Sequence, residues 1–146
     1  MTFVIRPVTE ADAGDWRAMR DELWEGDDHA TEIGRFFAGQ CDEPEAVMIA
    51  IDEAGDAVGF VELSSRLDIP GLEGVTTGYI EGLFVHLAHR ASCLTRQLLR
   101  ASQQWAQANA CRAFASDRDD RVVIDPKYHN EVPVFAEPDV GPRDNY

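Results

Sequence analysis

Residues 78–106, GYIEGLFVHLAHRASCLTRQLLRASQQWA, constrain the fold more than any other stretch, because they read as a buried strand, a short basic loop and an amphipathic helix in unbroken succession. Tyr79, Ile80, Leu83, Phe84 and Val85 bring the aromatic and aliphatic content of a core strand. Leu94, Leu98 and Leu99, then Ala101, Trp105 and Ala108, lay one apolar face along the helix that follows. Between them, His89 and Arg90 stand just before the helix start, where unpaired backbone N–H groups and the positive end of the helix dipole favour a phosphate.

The flanking sequence predicts an alternating α/β order. Phe3, Val4 and Ile5 make a short strand that Pro7 ends. Thr9 with Asp12 resembles a capping box, with Asp where Glu or Gln is usual. Trp16, Met19 and Leu23 then fall at helical spacing before Gly26 closes the helix. A second helix from Thr31 carries Ile33, Phe36 and Phe37 and stops near Gly39. Strands over 46–51 and 58–63 are joined by Asp52-Glu53-Ala54-Gly55-Asp56, a hairpin turn by composition. Residues 66–77, with Pro70, Gly71 and Gly74, read as a polar loop, and strands over 78–86 and 111–116 flank a helix over 94–109. The proline-rich stretch 126–146 reads as an irregular tail with one candidate strand at 132–136.

At 146 residues the chain is expected to form a single domain, and its 45% hydrophobic content argues for a folded globule. No apolar run approaches the roughly 20 residues needed to span a bilayer. The start MTFVIRPVTEAD lacks a basic region followed by an apolar one, so the expected location is the cytoplasm, with no membrane partner. Cys41, Cys93 and Cys111 have neither disulfide-framework nor zinc spacing, and no metal is expected. A net charge of −14 disfavours nucleic acid and favours a cationic small molecule. The acids cluster in expected loops: Glu25, Asp27 and Asp28, then Asp42, Glu43 and Glu45, then 117–120.

Taken with GYIEGLFV…AHR, with Asp15-Trp16, Arg20 and Leu23-Trp24 in the first helix, and with CRAFASD at 111–117, this order resembles the GNAT superfamily of N-acetyltransferases. Within it the chain is similar to aminoglycoside 6′-N-acetyltransferases. The resemblance implies an α/β (α+β) fold, with a mixed, mostly antiparallel central sheet flanked by helices. It implies transfer of acetyl from acetyl-CoA to the 6′-amine of an aminoglycoside antibiotic, hence antibiotic resistance, by a homodimer. It places acetyl-CoA against Phe84, Val85, His86, His89, Arg90, Ala91, Ser92, Cys93, Leu94 and Thr95. A backbone N–H at Phe84, Val85 or His86 would polarise the thioester carbonyl.

Acyl transfer requires the amine to lose a proton and the thiolate to gain one or a stabilising donor. Asp117 and Glu81 are the candidate carboxylates, with Glu81 favoured as a ligand of the substrate ammonium. Tyr128 is the candidate donor to the thiolate. Trp24 offers a face for a sugar ring, and Asp27 and Asp28 offer negative charge beside it. The plain structural alternatives are a solvent-facing Glu81, an Asp117 that caps a helix, a Trp24 in the core and a Tyr128 in an ordinary loop.

The chain departs from the family pattern at Leu87, where the family usually has proline, and in two longer segments. The pyrophosphate loop, Arg/Gln-x-x-Gly-x-Gly/Ala in the family, reads Arg90-Ala91-Ser92-Cys93-Leu94-Thr95, so both small positions are replaced. Glycine there allows close backbone approach to phosphate and positive φ without a Cβ penalty. Pro126 stands where the family continues with a helix, and proline inside a helix costs about 3 kcal/mol. The alternatives these departures raise are acetylation of another small amine or a peptide, and a GNAT-like binding module without turnover.

Overall fold

The computed structural model describes residues 2–90 and 92–116, and the backbone of 121–123. In chain order the elements are β1 (Val4–Pro7), α1 (Ala13–Leu23), α2 (His29–Phe37), β2 (Ala46–Ile51), β3 (Ala57–Arg66), β4 (Thr77–Val85), α3 (Leu94–Ala108), β5 (Ala113–Ala115) and β6 (Arg121–Val123). The strands form one sheet in sequence order. Every neighbouring pair is antiparallel except β4–β5, which is parallel because α3 carries the chain back across the sheet between them.

Strand alternation sends the two faces to different helices. Val61, Leu63, Ile80, Leu83 and Val85 pack against Leu94, Leu98 and Leu99 of α3. Val47, Ile49, Phe60 and Phe84 pack on the other face with Trp16 and Met19 of α1 and Ile33 of α2. Gly78 lets α3 lie against β4, since a Cβ there would stand 2.6 Å from the Ala106 Cβ.

Two irregularities of β4 shape what lies above it. Its register against β3 steps from Gly82 opposite Glu62 to Ile80 opposite Leu63, leaving Glu81 as the extra residue of a β-bulge. Ile80 and Leu83 both face α3. The two residues between them, Glu81 and Gly82, therefore belong to the α1 side. In addition, among the described residues only Thr77, Gly78 and Tyr79 of β4 pair with β5.

Several expectations need correction in detail. Thr9 N–H donates to the Asp12 carboxylate at 2.8 Å, but this box closes a single 3-10 turn at Glu10–Asp12 that leads into α1. The second helix starts at His29, two residues early, because Asp28 accepts the Thr31 N–H at 3.2 Å as its N-cap. The expected polar loop after β3 has a core of its own: Ile69 and Leu72 are buried against Ala113 and Ala115. The strand expected over 111–116 forms only at Ala113–Ala115, and β6, which was not expected, pairs with it. Ala91, Asp117, Tyr128 and the candidate strand at 132–136 lie outside the described residues.

Candidate active site

A cavity of about 250 Å³ opens on the α1 side of the bulge, lined by Arg20, Trp24, Asp27, Glu32, Glu43, Pro44, Glu62 and Glu81. Five carboxylates face one guanidinium there, so the space is electronegative and suited to a cation. A second cavity of about 190 Å³ shares Arg20, Glu32, Glu43 and Pro44 with it and reaches Trp16, Arg35 and Cys41.

The floor is a buried ion pair. Glu62, 1% exposed, accepts from Trp16 Nε1 at 3.0 Å and from Arg20 Nε at 2.6 Å and Nη2 at 3.0 Å. Burial pushes the Glu62 carboxyl up, and the Arg20 and Trp16 bonds pull it back. All three partners are donors, so the carboxylate form is the one the geometry accommodates. Arg20 Nη1 also bonds Glu32 and lies 3.2 Å from His29 Nδ1. His29 Nε2 is 2.6 Å from the Trp24 carbonyl. That carbonyl can only accept, so Nε2 carries the proton and Nδ1 accepts from Arg20.

This network sets Trp24. Its N–H closes α1 on the Arg20 carbonyl at 2.8 Å, and its ring lies 5.1 Å from the Arg20 guanidinium. Below it is Gly82, where a Cβ would stand 2.3 Å from Trp24 Cη2. The bulge is what brings Gly82 under the ring and turns Glu81 into the cavity beside it. Trp24 is thus half-buried, packed beneath and open to the cavity, while Trp16 is core, in edge contact with Phe36 and Phe37.

Of the other expected acceptor residues, Asp27 and Glu81 line the cavity and Asp28 does not. Both Asp28 oxygens bond Thr31, which holds the carboxyl below its ordinary value. Glu81 does not stand free in solvent, because Arg66 grips it with two bonds. Sequence reasoning missed Glu32, Glu62 and His29, and had Glu43 only as one of a cluster of loop acids. One signal for Glu62 was present: a lone carboxylate in the apolar run Phe60-Val61-Glu62-Leu63 needs a buried partner.

The second expected site follows β4. By the alternation of an antiparallel pair, Phe84 and His86 turn their N–H groups toward β3, and His86 N donates to Val58 O at 2.9 Å. His86 is therefore not a backbone donor for a thioester carbonyl. Val85 is the position of the three whose N–H is turned away from β3. Past a 3-10 turn at Leu87–His89, Arg90 Nε donates back to the Val85 carbonyl at 2.9 Å and its guanidinium lies 5.9 Å from the Phe84 ring. Ser92 Oγ accepts the Leu94 N–H at 3.2 Å and itself donates to the His89 carbonyl.

Cys93 is exposed at the N-terminus of α3 with φ −75°, a right-handed conformation, so the loop does not call on the positive φ for which glycine would be needed there. Its side chain makes no cap, and two polar atoms are buried with no partner among the described residues: Oγ1 of Thr95, which is 1% exposed, and Nδ1 of His89. A 15-residue helix whose N-cap residue Cys93 makes no side-chain cap, with a buried first-turn hydroxyl unsatisfied among the described residues, fits an anionic group such as a phosphate. The replacements at Cys93 and Thr95 are compatible with such a cradle.

An anion-receptive helix start after β4 and an acidic cavity on the α1 side of the sheet suit a transferase that joins a phosphate-bearing donor to a cation. The acetyltransferase (GNAT) family model matches residues 14–127, and the chain belongs to that family. It is similar to aminoglycoside N(6′)-acetyltransferase type 1 of Klebsiella aerogenes, 35% identical over 117 residues, 78% of this chain and 77% of the relative. The enzyme of the same name from Stenotrophomonas maltophilia is 37% identical over 115 residues, 77% and 73% of the two chains. Among solved structures, AAC(6′)-Iy in complex with the bisubstrate analog CoA-S-monomethyl-acetylneamine superposes with TM-score 0.71 at 31% identity, covering 80% of each chain. The same enzyme with CoA gives TM-score 0.72 at 27% identity, covering 93% of this chain and 90% of that one.

Proposed function

We propose that the protein is an aminoglycoside 6′-N-acetyltransferase that uses acetyl-CoA. The observation that carries this reading is the cavity at the β4 bulge, where Trp24 and five carboxylates meet on the α1 side of the sheet. A polyamino sugar presents both an apolar ring face and several ammonium groups, and this lining answers both. The names of the relatives point to the same acceptor.

The first turn of α3, with Thr95, His89 and the Ser92–Leu94 backbone, would hold the phosphates of acetyl-CoA, which supplies the activated acetyl thioester. On the acceptor side, Glu81, Asp27 and Glu43 would bind ammonium groups and Trp24 a ring. A carboxylate fixed in place by two bonds from Arg66 is a good anchor, so Glu81 holds the acceptor while Asp117 takes the amine proton. Tyr128 is carried over as the thiolate donor on resemblance, as are the homodimer and the cytoplasmic location.

The test is thiol release from acetyl-CoA by the purified protein with kanamycin, with an analogue bearing hydroxyl in place of the 6′-amine, and with neither. Turnover confined to the 6′-amine supports the reading. Turnover with simple amines or peptides at equal kcat/KM, or none at all, overturns it.

A further inference from the structure

The cavity wall contains an arginine that touches two of its carboxylates without lining it. Arg66, at the end of β3, reaches across to the bulge on β4, where Nε donates to Glu81 Oε1 at 2.8 Å and Nη2 to Glu81 Oε2 at 2.9 Å. The same Nη2 donates to Glu43 Oε2 at 3.0 Å. The guanidinium stands 4.7 Å from the Tyr79 ring, which backs it on β4. Glu43 and Glu81 line the cavity, and Arg66 is not among the lining residues.

We propose that Arg66 is a positioning residue for the acceptor: it aims the Glu81 and Glu43 carboxylates into the cavity and so sets the affinity for a cationic substrate. This inference rests on the acceptor site proposed above. The physical reason lies in the flat guanidinium fork. One N–H goes to each Glu81 oxygen, which fixes the plane of the carboxylate and leaves a lone-pair direction on each oxygen for a substrate ammonium. Without that fork, a glutamate at a bulge rotates freely about its side-chain torsions. The acceptor would then have to order it at the moment of binding. Sharing the cation also lets Glu43 and Glu81, which would repel each other, share one wall. A second pair of bonds holds the Glu43 segment in place, since Glu45 Oε1 accepts from Ser65 N at 2.8 Å and Oγ at 2.6 Å, one residue from Arg66.

The alternative is that Arg66 merely staples the segment before β2 to the sheet. The two roles separate in kinetics. Arg66→Met should raise acceptor KM about tenfold or more, the usual weight of hydrogen bonds to a charged group, with kcat and acetyl-CoA KM within about threefold. Arg66→Lys keeps the charge but not the fork, and should leave most of the KM loss in place. In a Glu81→Gln background, Arg66→Met should add less than about twofold, because the anchor it aims is already gone. Kanamycin affinity by calorimetry should follow the same pattern.

Equal effects of Arg66→Met in both backgrounds, full recovery in Arg66→Lys, or a parallel rise in acetyl-CoA KM would overturn the proposal. Should Arg66→Met fail to fold, Arg66→Lys alone and in the Glu81→Gln background provides the same comparison. The series is run on whichever amine the wild type acetylates. Rejection of aminoglycosides therefore defeats the functional reading while Arg66 is still judged on the amine accepted, and absence of turnover with every amine overturns both.

Discussion

Glu62→Gln tests whether the floor of the cavity is the ion pair described. The substitution preserves shape and removes one charge and one acceptor. Glu62 Oε2 receives Trp16 Nε1 and Arg20 Nε, and Oε1 receives Arg20 Nη2. If the glutamine oxygen takes the Oε2 position, its NH₂ faces Arg20 Nη2, donor against donor. Breaking one side of a buried pair costs about 3–5 kcal/mol when the surviving charge is stranded. Here Arg20 keeps Glu32, whose side chain is 52% exposed, so the expected loss is nearer 2–3 kcal/mol, a fall in Tm of about 5–10 °C for a domain of this size. Urea denaturation should show a lower midpoint at unchanged slope. Acceptor affinity should fall as well, because the Trp24 ring rests on Arg20. Arg20→Met with Glu62→Leu, which removes both charges together, should be much less destabilised than the sum of its single variants. A cost below about 0.5 kcal/mol for Glu62→Gln, or strict additivity in the double variant, would refute the argument that burial and pairing govern this residue.

Three further outcomes follow from other parts of the structure. Asp12, held below its ordinary carboxylate value by Arg6 and the Thr9 N–H, stabilises the fold above the unfolded value of about 4, and that stability is lost as pH falls toward its folded value. Since Arg6 is 39% exposed, Asp12→Asn should cost only about 1 kcal/mol at pH 7 and flatten the acid limb of a stability-versus-pH curve, as read by urea titration at several pH values. Gly82→Ala should displace the Trp24 ring, raise acceptor KM about tenfold and change tryptophan fluorescence, while acetyl-CoA affinity stays unchanged by titration. Thr95→Val should raise Tm by removing a buried hydroxyl that has no partner among the described residues, yet weaken acetyl-CoA binding about tenfold, whereas Cys93→Gly should move that affinity by less than about twofold.

Much of the architecture follows from local pattern. The apolar runs of β2 and β3, the Asp/Gly turn between them and the leucine stripe of α3 each specify an element through residues close in sequence. The resemblance added the expected acceptor and cofactor because its motifs are local in sequence: GYIEGLFV lies within β4, and DW…R…LW runs along α1 to its C-cap, Trp24. Where the local rule was incomplete, a nearby competing group decided the outcome. Asp28 draws the start of α2 forward, and Ile69 and Leu72 turn an expected polar loop into a packed one by covering β5.

The site itself was only half legible. By itself the sequence determined which residue types are present, that acids outnumber bases, and that a helix start follows a core strand through a short basic loop. Tertiary structure alone decided which acids share a cavity, because Asp27, Glu32, Glu43, Glu62 and Glu81 come from five separate segments whose distances depend on sheet register. The bulge is the clearest case. A strand of period two places consecutive residues on opposite faces, so no reading of GYIEGLFV puts Glu81 and Gly82 on the same side. One unpaired residue against β3 does so, and with it Glu81 enters the cavity, Gly82 goes beneath Trp24 and Arg66 gains its partner.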